Sequence, residues 1–221
     1  MLHIKTIPVT VYQQNARVLY CGNTHQAVVV DPGGDIPLIL NQWPTKATLQ
    51  AVWITHSHID HANGVSTLLQ TLGRDAPVFA HADDAPNQQA LLMQAQAMSL
   101  PYGGDFTITN CVTHGDTLRV GNHEFCVLHT PGHALGHVSL FMASHHNEYN
   151  APVLIAGDAL FRGSIGRTDL PGGNYNQLIN SIQTHLLSLP NHTVVLSGHG
   201  PNTTILNEKQ TNPFLLKGHS G

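Results

Sequence analysis

Residues 49–61 read Leu49-Gln50-Ala51-Val52-Trp53-Ile54-Thr55-His56-Ser57-His58-Ile59-Asp60-His61. The first seven form a short, mostly apolar run, the pattern of a strand buried on both faces. The run ends directly in three histidines and an aspartate. In extended backbone, positions i and i+2 point the same way, so His56 and His58 can grip one cation together. Asp60 and His61 lie beyond a bend and can turn toward a second. Scattered polar residues on a solvated turn would not need four ligand types packed into this spacing. Loops at strand ends are where such sites are commonly built.

Three more places downstream repeat one arrangement, in which a strand leads to a glycine and then to a ligand type. They are Thr130-Pro131-Gly132-His133, Ala156-Gly157-Asp158 and Ser197-Gly198-His199. The glycine gives the backbone freedom to turn the next side chain inward. Imidazole is the commonest metal ligand, and the chain carries 17 histidines, so position has to separate ligands from the rest. His137 stands one helical turn or two strand steps from His133 and is a candidate to orient a ligand, with a plain structural role the stronger expectation. His145 and His146 fall in a polar stretch expected to be solvated. His3, His25, His114, His123, His185, His192 and His219 show no partner pattern.

Around these positions the sequence alternates strands with helices. Strands are expected over 4–11, 17–20 and 26–30, the last two joined by a hairpin loop at 21–25. The Asp31-Pro32-Gly33-Gly34 turn precedes a short helix over 36–42. One helix is expected from the histidine motif onward, carrying Val65, Leu68, Leu69 and Leu72 on one face and ended by Gly73. A strand at 78–80 and a helix over 87–98 follow. The second half has strands at 117–120 and 124–129 around Gly121-Asn122, then at 138–142, 153–156 and 193–196. Helices are expected over 175–187 and near 203–209. This order fits two mixed sheets packed face to face with helices outside.

Composition limits the partners. The hydrophobic fraction is 41%, enough for a sizeable core in a single domain spanning 1–221. Only 9 Lys+Arg are spread along the chain and the formal net charge is -4, so the cation cluster that a phosphate backbone needs is absent. No apolar stretch reaches membrane-span length and no signal peptide opens the chain, so a cytoplasmic protein is expected. Cys21, Cys111 and Cys126 make an odd, widely spaced set, read as small core residues under reducing conditions.

The pattern His56-x-His58-x-Asp60-His61, followed in order by His133, Asp158 and His199, resembles the metal-ligand pattern of the metallo-β-lactamase superfamily over nearly the whole chain. The segments 157–169 and 198–204, and Asn212-Pro213-Phe214, look like the single-domain, glyoxalase II-like branch of hydroxyacylglutathione hydrolases. The resemblance implies an αβ/βα sandwich of four layers with the metals between two mixed sheets. It implies two divalent ions, zinc foremost and iron or manganese also compatible with an N/O donor set. His56, His58 and His133 would hold one metal and Asp60, His61 and His199 the other. Asp158 and a water would bridge, and Asp60 would also orient the attacking water. Paired metals generate a nucleophile near neutral pH.

The expected reaction is hydrolysis of a glutathione thioester of the S-lactoylglutathione type. A thiolate with a pKa of about 8.5 departs without a strong general acid. Arg167, then Arg162, are the candidates to meet a glutathione carboxylate, a salt bridge between Arg167 and Asp169 being the competing role. His199 is followed by only a short stretch, so the helical domain that supplies glutathione contacts in two-domain relatives is not expected. The alternative is a persulfide dioxygenase with a single iron on His56, His133 and Asp158. A β-lactamase is disfavoured by the bridging aspartate and a nuclease by the charge. A degenerate binding protein would have lost a ligand. The oligomeric state is not legible.

Overall fold

The computed structural model describes residues 1–216, so the reading of His219 lies outside the described residues. The first half builds one six-stranded sheet from β1 (Leu2–Val9), β2 (Gln14–Cys21), β3 (Gln26–Val30), β4 (Thr48–Trp53), β5 (Val78–His81) and β6 (Asn110–Val112), in that spatial order. The β1–β2 and β2–β3 pairs are antiparallel, and β3 to β6 run parallel. The second half builds another from β7 (Thr117–Val120), β8 (His123–His129), β9 (Val138–Met142) and β10 (Val153–Gly157). A small hairpin of β11 (Leu160–Phe161) and β12 (Ser164–Ile165) follows, and β13 (Val194–Ser197) and β14 (Thr203–Thr204) complete the second sheet in the order β14-β13-β10-β9-β8-β7.

Alternation along the central strands explains the layers. Val28, Val30, Ala51 and Trp53 face Phe125, Val127, Val153 and Ile155 across the gap between the sheets, where Trp53 and Phe125 meet edge to face at 5.5 Å. The residues between them in sequence point outward. Val29 and Val52 pack with Ile36, Ile39, Val65 and Leu68 of the first-half helices. Leu128, Leu154 and Val195 pack with Leu178, Ile182, Ile205 and Leu215 of the second-half helices. The result is helix, sheet, sheet, helix, with both sheets apolar on both faces.

Several boundaries differ from the sequence reading. The first strand stops at Val9, because Thr10 and Gln13 take left-handed backbone in the turn that joins β1 to β2. The helix after the histidine motif is two helices, α2 (Ile59–Ala62) and α3 (Val65–Leu72), parted at Asn63-Gly64. Gly73 does cap α3 in left-handed backbone. The helix expected over 87–98 is α4 (Ala85–Gln89) and α5 (Leu91–Ala97). The Asn87 carbonyl, which an unbroken helix would offer to Leu91, instead accepts from Ala90 N and the Gln94 side chain. The helix over 175–187 holds as α-helix from Tyr175 to Ser181 and widens to a π turn over Ile182–Leu186. Cys21 is buried as expected, but Cys111 is exposed on the edge strand β6. No helix among the described residues is long and apolar enough to cross a membrane.

Candidate metal centre

All seven residues of the sequence motif meet at one end of the gap between the sheets. His56, His58, Asp60 and His61 come from the loop and helix after β4. His133 comes from the loop between β8 and β9, Asp158 from the end of β10 and His199 from the end of β13. Donor atoms of His56, His58 and His133 lie within 4.8 Å of one another, as do those of Asp60, His61 and His199. Asp158 sits between the groups. Its Oδ1 is 3.3 Å from His61 Nε2, and its Oδ2 is 3.5 Å from His199 Nε2 and 3.7 Å from His133 Nε2.

The glycines that precede three of these ligands have two different reasons to be glycine. Gly132 and Gly157 take positive φ, the backbone freedom read from sequence. Gly198 does not. A Cβ there would lie 2.0 Å from Asp158 Oδ1, so the constraint is the space the carboxylate occupies.

Outer hydrogen bonds settle which ring nitrogen faces inward. Asp31 accepts from Thr55 N at 2.7 Å and from the Thr55 hydroxyl at 2.6 Å. With that hydroxyl proton spent, His56 Nδ1–H donates to Thr55 Oγ1 at 3.2 Å. His61 Nδ1–H donates to Asp31 at 3.0 Å, His133 Nδ1–H to the Arg167 carbonyl at 2.8 Å, and His199 Nδ1–H to the Tyr12 carbonyl at 3.1 Å. Each of these four rings therefore turns its Nε2 into the centre. His56 Nε2 and His133 Nε2 then face each other at 3.1 Å, lone pair to lone pair. His61 Nε2 and Asp158 Oδ1 are buried with no hydrogen-bond partner. Buried acceptors aimed at one another repel unless something positive stands between them. The donor set fits divalent cations, and the ring planes fit as well. His56, His58 and His133 lie at 84° to 86° to one another, three edges converging on one point.

The titration behaviour follows the same division. Burial, reinforced by the neighbouring imidazoles, holds His56 well below its ordinary value and His58 down to about 3. Those rings are neutral, which is the ligating form. Burial works against charge on His61 and His199 too, but the Asp158 and Asp60 carboxylates outweigh it and push both upward. Burial likewise opposes charge on Asp60 and Asp158, and His61 and His199 overcome it, holding both carboxyls below the usual range. In the absence of a cation, protons on His61 and His199 supply the positive charge that the carboxylates require.

A cavity of about 440 Å³ opens onto the centre. Its wall mixes apolar Tyr12, Met98, Phe161 and Leu170 with His58, Asp60 and Arg167. Arg167 reaches its rim while holding Asp169 in a two-point ion pair at 2.8 and 2.7 Å. Arg167 thus makes the ion pair read as its competing role and also lines the cavity. Arg162 is exposed and stands apart from the residues that line the cavity. His137, expected in a plain structural role, is fully buried against the centre, with Asp158 N donating to its Nε2 at 3.0 Å. The signal was its spacing from His133. Asp31 was read only as part of a turn, and nothing local in the sequence showed that its carboxylate would reach His61.

The profile of the metallo-β-lactamase superfamily matches residues 9–199. Hydroxyacylglutathione hydrolase GloC of Haemophilus influenzae is 35% identical over 216 residues, covering 97% of this chain and 98% of that protein. Among solved structures, BLEG-1, described as a B3 metallo-β-lactamase, superposes with a TM-score of 0.85 at 37% identity, covering 96% of this chain and 99% of its own. TTHA1623, solved in a di-iron-bound form, gives 0.83 at 35% identity, covering 96% and 100%. ETHE1 from Myxococcus xanthus gives 0.74 at 27% identity, covering 95% and 83%. The chain belongs to the metallo-β-lactamase superfamily and is a metallo-hydrolase of that fold, a superfamily that binds divalent metals.

Proposed function

We propose that the chain hydrolyses a thioester of a small acid with glutathione, of the S-lactoylglutathione type, using two divalent metals. His56, His58 and His133 would hold one ion, Asp60, His61 and His199 the other, with Asp158 shared. The observation that carries the reading is the state of the cleft's carboxyls. The Asp60 carboxylate lies 3.1 Å from His199 Nε2 and the Asp158 carboxylate 3.3 Å from His61 Nε2, so both are engaged with the histidines and neither is placed as a proton donor to a departing group. A leaving group that departs as a stable anion suits such a site, and a thiolate with a pKa of about 8.5 is one. Bound divalent ions would supply an acidified water near neutral pH and polarise the carbonyl.

This chain's own residues do the rest. Asp60, placed between the second group of histidines and the cavity, accepts a hydrogen bond and orients the incoming water. The apolar wall from Tyr12 to Phe161 takes the acyl and thiol stems, and Arg167 at the rim meets a glutathione carboxylate by sharing or exchanging Asp169. The likeness to GloC, over nearly the full length of both proteins, supports glutathione as the thiol. The buried pair His61 Nε2 and Asp158 Oδ1 supports a second cation, since a single ion on His56, His133 and Asp158 would leave Asp60, His61 and His199 without one.

The test is metal content measured beside three assays on one preparation. These are hydrolysis of S-lactoylglutathione, oxygen uptake with glutathione persulfide, and hydrolysis of a penicillin. Two metals per chain with thioester hydrolysis is the expected result. One iron per chain with oxygen uptake and no hydrolysis would replace it with dioxygenase chemistry. Turnover of the penicillin alone would replace the substrate.

A further inference from the structure

We infer that His137 is a positioning residue that sets the place of Asp158 through one directed chain of hydrogen bonds. The inference rests on the reading of Asp158 as a shared metal ligand. Asp158 N–H donates to His137 Nε2 at 3.0 Å, which makes that nitrogen the acceptor and puts the ring proton on Nδ1. His137 Nδ1–H then donates to Thr130 Oγ1 at 2.8 Å. Ser139 Oγ donates to the Ala156 carbonyl at 3.2 Å, so the Thr130 hydroxyl donates to Ser139 Oγ at 3.0 Å. Every proton in the chain has one direction. It starts on the amide of residue 158 and ends on the carbonyl of residue 156.

The chain therefore clamps both sides of Gly157, where β10 leaves the sheet in left-handed backbone with φ of 50°. A Cβ at Gly157 would come within 2.6 Å of His137 Nε2 and 2.8 Å of Thr55 Oγ1, so the ring and the glycine occupy matched space. Past this point the Asp158 amide is buried, and without His137 it would be an orphan donor beside a charged carboxylate. The same residue closes the loop that carries His133, because Thr130 N donates to the His137 carbonyl at 2.9 Å. One side chain and its main chain thus tie together ligands contributed by two different strand ends.

The ring's role is to accept, and that separates positioning from packing. His137→Gln can present an amide oxygen where Nε2 stands. His137→Asn is too short to reach Asp158 N and keeps only the Thr130 side. His137→Leu keeps bulk and no polarity. Zinc affinity, measured by competition with a chelator, should stay within about threefold in the Gln variant and fall about ten- to a hundredfold in the Asn and Leu variants, the range seen when groups behind a metal ligand are removed. Thr130→Val preserves shape and removes the acceptor of Nδ1–H, and it should lower affinity by about tenfold by the same reasoning.

Two readouts need neither zinc nor turnover. In metal-free protein, nitrogen-detected NMR should show His137 neutral with its proton on Nδ1. The Asp158 amide should exchange slowly in wild type and in His137→Gln, and at least about tenfold faster in His137→Asn. A proton on Nε2, equal affinities in the Gln and Asn variants, or undiminished affinity in both His137→Leu and Thr130→Val would overturn the inference. Correct NMR and exchange results with no bound metal would instead count against the metal-centre reading alone.

Discussion

Two groups of histidines stand at strand ends in this molecule, and their spacing hardly separates them. In the centre, the rings of His56, His58 and His133 lie 4.6 to 4.7 Å apart. At the ends of β5 and β8, His81 and His129 lie 4.1 Å apart with Asp83 beside them, and donor atoms of these three also fall within 4.8 Å of one another. Ring orientation is what differs. The three rings of the centre are mutually near-perpendicular, whereas His81 and His129 are stacked at 7°. Stacked rings send their lone pairs out in parallel, so no single point receives both. His81 Nδ1 accepts from Asp83 N at 3.2 Å, and His129 Nε2–H donates to the Leu135 carbonyl at 2.9 Å. Proximity of imidazoles is common in a chain with so many of them. The candidate centre also has outer bonds that turn ring nitrogens inward, as they do on His56, His61, His133 and His199.

The largest expected effect comes from the residue shared by both halves of the centre. Asp158→Ala should lower the hydrolytic rate by about a thousandfold, the several kcal/mol that a metal contributes to the transition state, with metal per chain falling in step. Retention of full metal content would break the contrast, since Asp158 would then not be what joins the two groups.

Next comes the segment between the regions. Asp84 is fully buried against the loop that carries His133, and burial lifts its carboxyl to about 7. A raised acid contributes stability that is whole below its unfolded value and is lost as pH rises through the folded one. Wild type should therefore lose stability relative to Asp84→Asn between about pH 4 and 7 and run parallel to it above. The gap should widen by about 4 kcal/mol in all, from three units of displacement. Denaturant melts across that range measure it, and curves parallel throughout would remove Asp84 from the account.

Arg167→Ala should raise KM for S-lactoylglutathione about tenfold with kcat nearly unchanged, the mark of uniform binding lost. A fall in kcat with constant KM would assign Arg167 to the reaction itself. The smallest effects belong to the stacked pair. His81→Ala and His129→Ala should leave metal per chain and turnover as they are, and shift stability by about 1 kcal/mol or less. Loss of one metal from either variant would erase the distinction between the two groups.

Legibility followed the range of the interaction. The motif 56–61 and the three glycine-preceded ligands could be read locally, because each depends on a strand end and the residue after it. Strands 26–30 and 138–142 were placed at their exact bounds, being mostly apolar runs with few competing signals. The breaks at Asn63-Gly64 and Ala90 were not legible. The second arises where the Gln94 side chain takes the Asn87 carbonyl, a contact that local helix propensity does not contain. Arg162 and Arg167 looked alike in one segment, and only the path of the β11–β12 hairpin separates the exposed outer residue from the one at the rim.

Which residues are the candidate metal donors was legible in sequence alone, since ligand chemistry travels with residue type and strand-end spacing. Which nitrogen each histidine presents was decided by tertiary structure. Asp31, the Arg167 carbonyl and the Tyr12 carbonyl reach His61, His133 and His199 from 30, 34 and 187 residues away, and through those bonds the fold turns imidazoles into a candidate cation site.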